Sequence, residues 1–373
     1  MRFEFATAAK IEFGAGAFRQ IAEADWDRTL VVTGAAGRHA CGGVPFRISG
    51  EPTIDDVRMG VEIAAAEECV GVIAIGGGSA IDGGKAIAAM LTNPGDPLDY
   101  LEVIGRGMPL EKPSAPFIAV PTTAGTGSEV TRNAVLASPQ HRVKASLRSF
   151  GMLPRLAVVD PELTYDLPPA ITASTGLDAL AQVIEPYVSS RANAMTDLYC
   201  TEGIRRIAVA LPRVFENGAD REARAAMSWS SLLGGLSLAN AGLGAVHGFA
   251  APIGGMFDAP HGAVCAALLP HAVEINVEAL RSRAPESEAL RRYDTVARLL
   301  TGQPHANADD AVWWLTELCA RLQIPPLSAY GVEEKHVGEL VSKAAKASSM
   351  KANPIELTND ELTEIVTRAR TGA

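Results

Sequence analysis

Asp178 and Gln182 stand four residues apart in the stretch TGLDALAQVIEPYVS, Thr175 to Ser189. In a helix that spacing puts both side chains on one face, about one turn apart. A carboxylate beside a histidine at that spacing is half of a metal site; here the second residue is a glutamine, whose carbonyl oxygen is a weaker donor. Further on, GAVHGFAAPIGGMFDAPHGAV holds His247 and His261, each followed by glycine and set among small apolar residues. Taken singly, either reads as a core histidine. Taken together, downstream of Asp178, they form a candidate site with nitrogen and oxygen donors, a set that suits zinc or iron(II).

Two further stretches suit phosphate. AIGGGSAIDGGKAIA, Ala74 to Ala88, runs from an apolar strand pattern into a helical one. Glycines let a backbone approach a ligand closely, and the helix N-terminus that follows favours negative charge. It is neither GxGxxG, since Ile81 stands where the last glycine would be, nor a Walker loop. PTTAGTGSEVT, Pro121 to Thr131, offers hydroxyls and free amides after another strand pattern. The plainer readings are a tight turn and a polar loop. Two such loops, each ending a strand of one sheet, fit a dinucleotide better than a lone phosphate.

Elements must position these residues. RTLVVTG, VGVIAIGGGS, PFIAVP and RLAVVD read as buried strands, and TIDDVRMGVEIAAAEEC and IDGGKAIAAMLT as helices between them. Apolar strands alternating with helices imply a parallel α/β sheet over residues 1–160. From 161 to 373 the strand patterns vanish and helical patterns follow. The expected ranges are Pro169 to Ser189, Ala194 to Asn217, Glu222 to Ala241, Val264 to Ala279, Leu290 to Leu300, Ala308 to Leu322, Glu333 to Ala347 and Thr358 to Thr371. The expectation is thus an α/β dinucleotide-binding domain followed by an all-helical domain that carries metal and substrate. With 373 residues, of which 47% are apolar, the chain is long enough for two cores.

Charge and cysteines narrow the function class. The formal net charge is -10, which repels phosphate backbones and argues against nucleic acid as a partner. The cysteines, Cys41, Cys69, Cys200, Cys265 and Cys319, are scattered and odd in number, as expected of a reducing compartment rather than a disulfide framework. The N-terminus alternates like a strand and carries no signal-peptide core. No apolar run reaches the roughly 18 residues of a membrane span. The reading is a cytoplasmic protein without a membrane partner.

On its motifs the chain resembles the group III, iron-containing alcohol dehydrogenase family, within the dehydroquinate-synthase-like fold. The matching stretches are GGGSAIDGGKAIA, PTTAGTGSEVT, VVDPELTYDLP, TASTGLDALAQVIEPYVS and AVHGFAAPIGGMFDAPHGAV, in the family's order between about Phe13 and Leu269. The resemblance implies an NAD(P)-dependent oxidoreductase that interconverts a small alcohol and its aldehyde or ketone. It also implies a divalent metal, iron or zinc, and a homo-oligomer, dimer or larger. By the same resemblance Gly77, Gly78 and Ser79 match the pyrophosphate loop and Asp82 follows in that motif. Thr122, Thr123 and Thr126 match the second cofactor loop, and Lys144 a lysine near the cofactor ribose. Asp178, His247 and His261 match metal ligands that also serve catalysis.

There are two departures. The remaining ligand position, normally histidine, holds Gln182, and the position of a proton-relaying histidine holds Ala251. The alternative they raise is a metal-independent oxo-acid reductase of the maleylacetate reductase type, although that type lacks the aspartate kept here at Asp178. For the choice of cofactor, relatives that prefer NAD often carry an aspartate after the second strand. Here that position is Gly34, and Arg38 or His39 could approach a 2′-phosphate, so NADPH is allowed and mildly favoured.

Overall fold

A computed structural model describes residues 2–39 and 41–372. The chain divides into two compact units, Glu4–Asp166 and a second built from Leu167–Ala373 with Met1–Phe3. In the first unit the strands are β1 (Ile11–Phe13), β2 (Thr29–Thr33), β3 (Val44–Arg47), β4 (Gly71–Gly76), β5 (Phe117–Pro121), β6 (Asn133–Ser138), β7 (Val143–Arg148) and β8 (Leu156–Val159). Its helices are α1 (Arg19–Glu23), α2 (Ile54–Ala66), α3 (Gly78–Met90) and α4 (Pro97–Tyr100). One sheet runs in the order β1-β8-β5-β4-β2-β3, and every pair in it is parallel.

The strands are apolar without alternation because both faces are covered. Leu30, Val32, Val72 and Ala74 point to one core with Ile81, Ile87 and Phe117. Their chain neighbours Val31, Ile73 and Ile75 point to the other, with Phe18, Val120 and Val158. Each fully buried side chain of this size contributes about 1.5–3 kcal/mol. Helix α3 leaves β4 with a single residue between them and lies close on the sheet. A Cβ on Gly84 would stand 2.8 Å from the Ala74 methyl, and one on Gly83 would stand 2.1 Å from Ile48. The second glycine pair of the loop motif therefore serves helix packing, which leaves Gly77 and Gly78 at the strand end.

Two details differ from the sequence expectation. The alternating pattern at the N-terminus forms a strand only over β1. Residues β6 and β7, for which no strand was expected, form a separate antiparallel hairpin. The β6 run alternates buried and half-buried positions, the period of a strand with one covered face, and α3 supplies the cover. The Val135 amide donates to Asp82 Oδ2 of α3 at 2.9 Å and fixes the hairpin to it.

The second unit holds α5 (Pro169–Val188), α6 (Ala194–Glu216), α7 (Arg221–Ala241), α8 (Ala245–Met256), α9 (His261–Arg283), α10 (Glu288–Thr301), α11 (Ala308–Arg321), α12 (Val337–Ala344) and α13 (Asn359–Thr371). No strand occurs among its described residues. Helix α5 packs against α6, α7 and α9. Glycines bring the helices close: a Cβ on Gly176 would meet Leu211 at 2.3 Å. Helix α9 has the length and mean hydropathy, 1.4, of a membrane span, which the sequence was not expected to contain. Of its most apolar 18 residues 89% are buried, which makes it a core helix of the unit. Helix α8 was not anticipated, and α9 starts earlier than its apolar periodicity suggested, at His261.

Candidate functional site

Three helices of the second unit converge on one buried cluster. α5 supplies Asp178 and Gln182 from one face. α8 supplies His247 in its first turn. α9 opens on His261, directly after Pro260, and carries Cys265 one turn later. One donor atom from each of Asp178, His247, His261 and Cys265 lies within 4.8 Å of all the others. His247 Nε2 is 3.4 Å and His261 Nε2 3.7 Å from Asp178 Oδ1. The Cys265 sulfur is 3.8 Å from His247 Nε2 and 3.6 Å from His261 Nε2. Asp178, Gln182 and His247 are only 1%, 2% and 7% exposed.

Two oxygens in this cluster, Asp178 Oδ1 and Gln182 Oε1, are buried without a hydrogen-bond partner. Leaving a buried polar atom unsatisfied costs about 1–3 kcal/mol, more for a charged group. A cation would compensate that cost, so the donor set fits a divalent metal.

His247 is held for that task. Its Nδ1 lies 2.6 Å from Glu185 Oε2, and the same carboxylate accepts the Val246 amide through Oε1 at 2.7 Å. A proton donated from Nδ1 to Glu185 leaves the Nε2 lone pair on the side of Asp178 and His261. The N-terminus of α8 is fixed by the Asn353 side-chain oxygen, which accepts the Ala245 amide at 3.1 Å. At Gly244 these polar groups crowd the backbone: a Cβ would stand 2.8 Å from Asn353 Oδ1 and 3.0 Å from Glu185 Oε1.

The electrostatics favour positive charge. Burial works against charge on His247, yet Cys265, Glu185 and Asp178 outweigh it and raise its pKa well above the usual imidazole range. Burial also opposes charge on His261, but Cys265 and Asp178 push its pKa up to about 9. Burial raises the pKa of Asp178, and the two imidazoles reverse this and hold it below the ordinary carboxylate value.

In the first unit the two loops meet. Gly77 caps α3 without any side-chain acceptor, so the first amides of the helix present their positive end at the terminus of β4. The Thr122 amide donates to the Gly76 carbonyl at 2.9 Å. A Cβ on Gly77 would stand 3.4 Å from Thr123, and one on Gly78 would stand 2.7 Å from Thr126. The structure thus brings Gly77, Gly78 and Ser79 together with Thr122, Thr123 and Thr126. Asp82 has other partners: it accepts from the Ser128 hydroxyl and the Val135 amide, and it lies 3.5 Å from Lys85 Nζ. Lys144 is buried on β7 and pairs with Glu51 at 2.9 Å. Arg38 donates to the Asp166 carbonyl at 2.8 Å.

Two residues of the helical cluster escaped sequence reasoning, Cys265 and Glu185. Both carried a signal. Cys265 is four residues after His261, and Glu185 is seven after Asp178, each on the same helical face as its partner.

Comparison with known proteins bears on the whole chain. A family model described as iron-containing alcohol dehydrogenase matches residues 8–161. A second, described as the Fe-containing alcohol dehydrogenase family, C-terminal, matches residues 172–370. Alcohol dehydrogenase 4 of Schizosaccharomyces pombe is 39% identical over 319 residues, 85% of this chain and 73% of that protein. The 1,3-propanediol dehydrogenase of Klebsiella pneumoniae is 35% identical over 328 residues, 86% of this chain and 81% of that one. Among solved structures, a 1,3-propanediol oxidoreductase superposes with a TM-score of 0.89 at 31% identity, covering 99% of this chain and 100% of its own.

Proposed function

Because this chain belongs to the iron-containing alcohol dehydrogenase family, we propose that Asp178, His247 and His261, with Gln182 beside them, hold the divalent metal on which a small alcohol or aldehyde reacts. The chain is an oxidoreductase that interconverts alcohols and their carbonyl partners with NAD(P). The observation that carries the metal assignment is the pair of buried, unpartnered oxygens, Asp178 Oδ1 and Gln182 Oε1, on a helix face beside two imidazoles. When bound, the metal supplies Lewis acidity to the substrate oxygen, and the nicotinamide supplies or accepts the hydride.

The chain's own residues do the rest. Asp178, itself buried, brings negative charge to the site. Glu185 fixes the tautomer of His247 and so the direction of its lone pair. The amides that open α3, with Gly77, Gly78 and Ser79, receive the pyrophosphate, and Thr122, Thr123 and Thr126 add hydroxyls from the facing loop. Asp82 and Lys144 support this region through Ser128, Val135 and Glu51. The substrate proton leaves without an imidazole at position 251, where Ala251 stands.

NADPH fits as well as NADH. The residue that ends the run after β2 is Gly34, which carries no carboxylate to repel a 2′-phosphate, and space for a side chain is open there. Gly34→Asp should selectively weaken NADPH, read as the ratio of kcat/KM for the two reduced cofactors. A wild-type preference for NADH above about 10-fold, or about 1.4 kcal/mol, would place the choice elsewhere. The substrate is a small molecule, the assembly a homo-oligomer, and the free thiols suit the reducing cytoplasm.

Metal analysis of the purified protein, joined to a panel of small aldehydes with NADH and NADPH, tests the whole reading. Bound metal and aldehyde turnover that fall together in His261→Ala are expected. Full activity in metal-free protein would replace this reading with that of a metal-independent oxo-acid reductase.

A further inference from the structure

We propose that Cys265 is a thiolate ligand of this centre, supplying the donor that Gln182 fails to provide as an imidazole, and that the native metal is therefore zinc. The inference rests on the metal reading above and goes beyond it in naming a sulfur ligand and the metal it selects.

The geometry carries it. Zinc ligands lie about 2.0–2.1 Å from the metal for nitrogen, about 2.0–2.2 Å for carboxylate oxygen and about 2.3 Å for sulfur. At tetrahedral angles such donors are roughly 3.3–3.6 Å apart. The observed separations are 3.4 and 3.7 Å from Asp178 Oδ1 to the two imidazoles, and 3.8 and 3.6 Å from the Cys265 sulfur to the same imidazoles. The remaining separations are below 4.8 Å. Four of the six separations need only a small contraction to close around one ion. Asp178 Oδ1, buried and without a hydrogen-bond partner, adds to the signs that a cation belongs among them.

The surroundings of the sulfur distinguish it from a structural thiol. Cys319, on α11, donates its S–H to the Ala266 carbonyl, the ordinary fate of a buried cysteine. Cys265 is fully buried, and its sulfur faces the two imidazole nitrogens and the Asp178 carboxylate. It lies one turn after His261, so a single helix presents nitrogen and sulfur to one point. A thiolate beside two imidazoles and one carboxylate is a zinc set, whereas a carboxylate, amide and imidazole set leans towards harder ions. Binding releases the thiol proton to solvent and forms the metal–sulfur bond, with no change of oxidation state. Zinc held by these residues would supply Lewis acidity to the substrate oxygen.

Zinc-edge X-ray absorption on the full-length, zinc-loaded protein tests the proposal. One sulfur scatterer at about 2.3 Å is expected beside nitrogen and oxygen at about 2.0–2.2 Å. Cys265→Ser should lose the sulfur shell and lower zinc affinity at least ~10-fold in competition with a chromophoric chelator. Zinc bound by nitrogen and oxygen alone in the wild type would overturn the sulfur assignment and leave the metal reading standing. A sulfur shell that survives in Cys265→Ser would assign the ligand to another thiol and overturn it as well. Protein that takes up no metal would remove both readings. Should the serine variant fail to fold, the wild-type spectrum decides alone.

Discussion

Glu185→Gln preserves the shape of a side chain while removing its charge, which isolates what that carboxylate does for His247. The amide oxygen can still accept the Val246 amide now bound at 2.7 Å, so α8 should keep its start. What is lost is an anionic acceptor for Nδ1. The expected outcome is a 10–100-fold weaker metal affinity with the fold intact, the range typical when a ligand's outer partner is changed. Equal metal affinity by chelator competition would show that His247 needs no such partner. At this scale the sequence was readable wherever two reactive residues sat one turn apart and the eye was drawn to the pair. Asp178 and Gln182 were found that way. Cys265 obeys the same rule with His261, but both fall where a helix begins, and an apolar stretch with an added cysteine reads as core. Glu185 hid for another reason: a carboxylate next to Pro186 in a helix reads as a solvated position, and only the arrival of α8 shows that it is buried.

The strand ends and the helices that leave them explain which glycines the cofactor needs. At Gly78 a side chain would strike Thr126 at 2.7 Å, so a substitution there tests how the loops pack. At Gly77 an added methyl would meet Thr123 at 3.4 Å, an ordinary contact. Gly77→Ala should therefore fold normally and lose cofactor affinity by at least ~10-fold, about 1.4 kcal/mol. Normal binding in that variant, measured by nicotinamide fluorescence, would put the pyrophosphate elsewhere. The same region holds a pH-dependent cost. Glu129, in the turn Ser128–Val130, is buried, and that burial pushes its pKa up to about 7 despite its own backbone hydrogen bond and the nearby Lys85. Burial likewise lowers the pKa of Lys85, which Asp82 and Glu129 only partly offset. A carboxyl raised in the folded state contributes stability that is fully present below its unfolded pKa, near 4.5, and lost as pH rises to about 7. Glu129→Gln should gain on the wild type across that window, by up to roughly 3 kcal/mol at pH 8. Thermal unfolding at pH 4 and pH 8 checks it, and a difference that does not grow with pH would refute it. Elements with a single strong period were legible: β2, β4, α3 and α5 match their patterns closely. The β6–β7 hairpin and α8 were not. The hairpin's runs are short and mixed, and α8 is rich in glycine with Pro252 inside, so it forms because Asn353 and Glu185 hold its first turn.

For the chain as a whole, the change from strand patterns to helical ones was legible because the two kinds of unit bury apolar surface with different periods. The division itself lies at Asp166 and Leu167. A formal charge of -10 leaves an anionic cofactor to be held by local amides rather than by any overall attraction. The helical unit faces another problem, since its cluster joins α5, α8 and α9, whose donors stretch from Asp178 to Cys265 along the chain. Without a cation, two buried oxygens lack partners at about 1–3 kcal/mol each. α8 has little intrinsic helix-forming strength to resist opening, since glycines and Pro252 fill its second half. Metal should therefore act as a clamp on these helices. At about 1,000 times its dissociation constant a ligand stabilises the state that binds it by roughly 4 kcal/mol. Amides that exchange through an opening that releases the ion should then slow by about three orders of magnitude. Hydrogen exchange on metal-loaded and chelator-stripped protein measures this by segment. The largest gain in protection is expected in α8, followed by the turns of α5 and α9 that carry Asp178 and His261. Equal exchange across α8 in the two forms would mean that its attachment to Asn353 and Glu185 suffices, and that the ion is not what holds the cluster together.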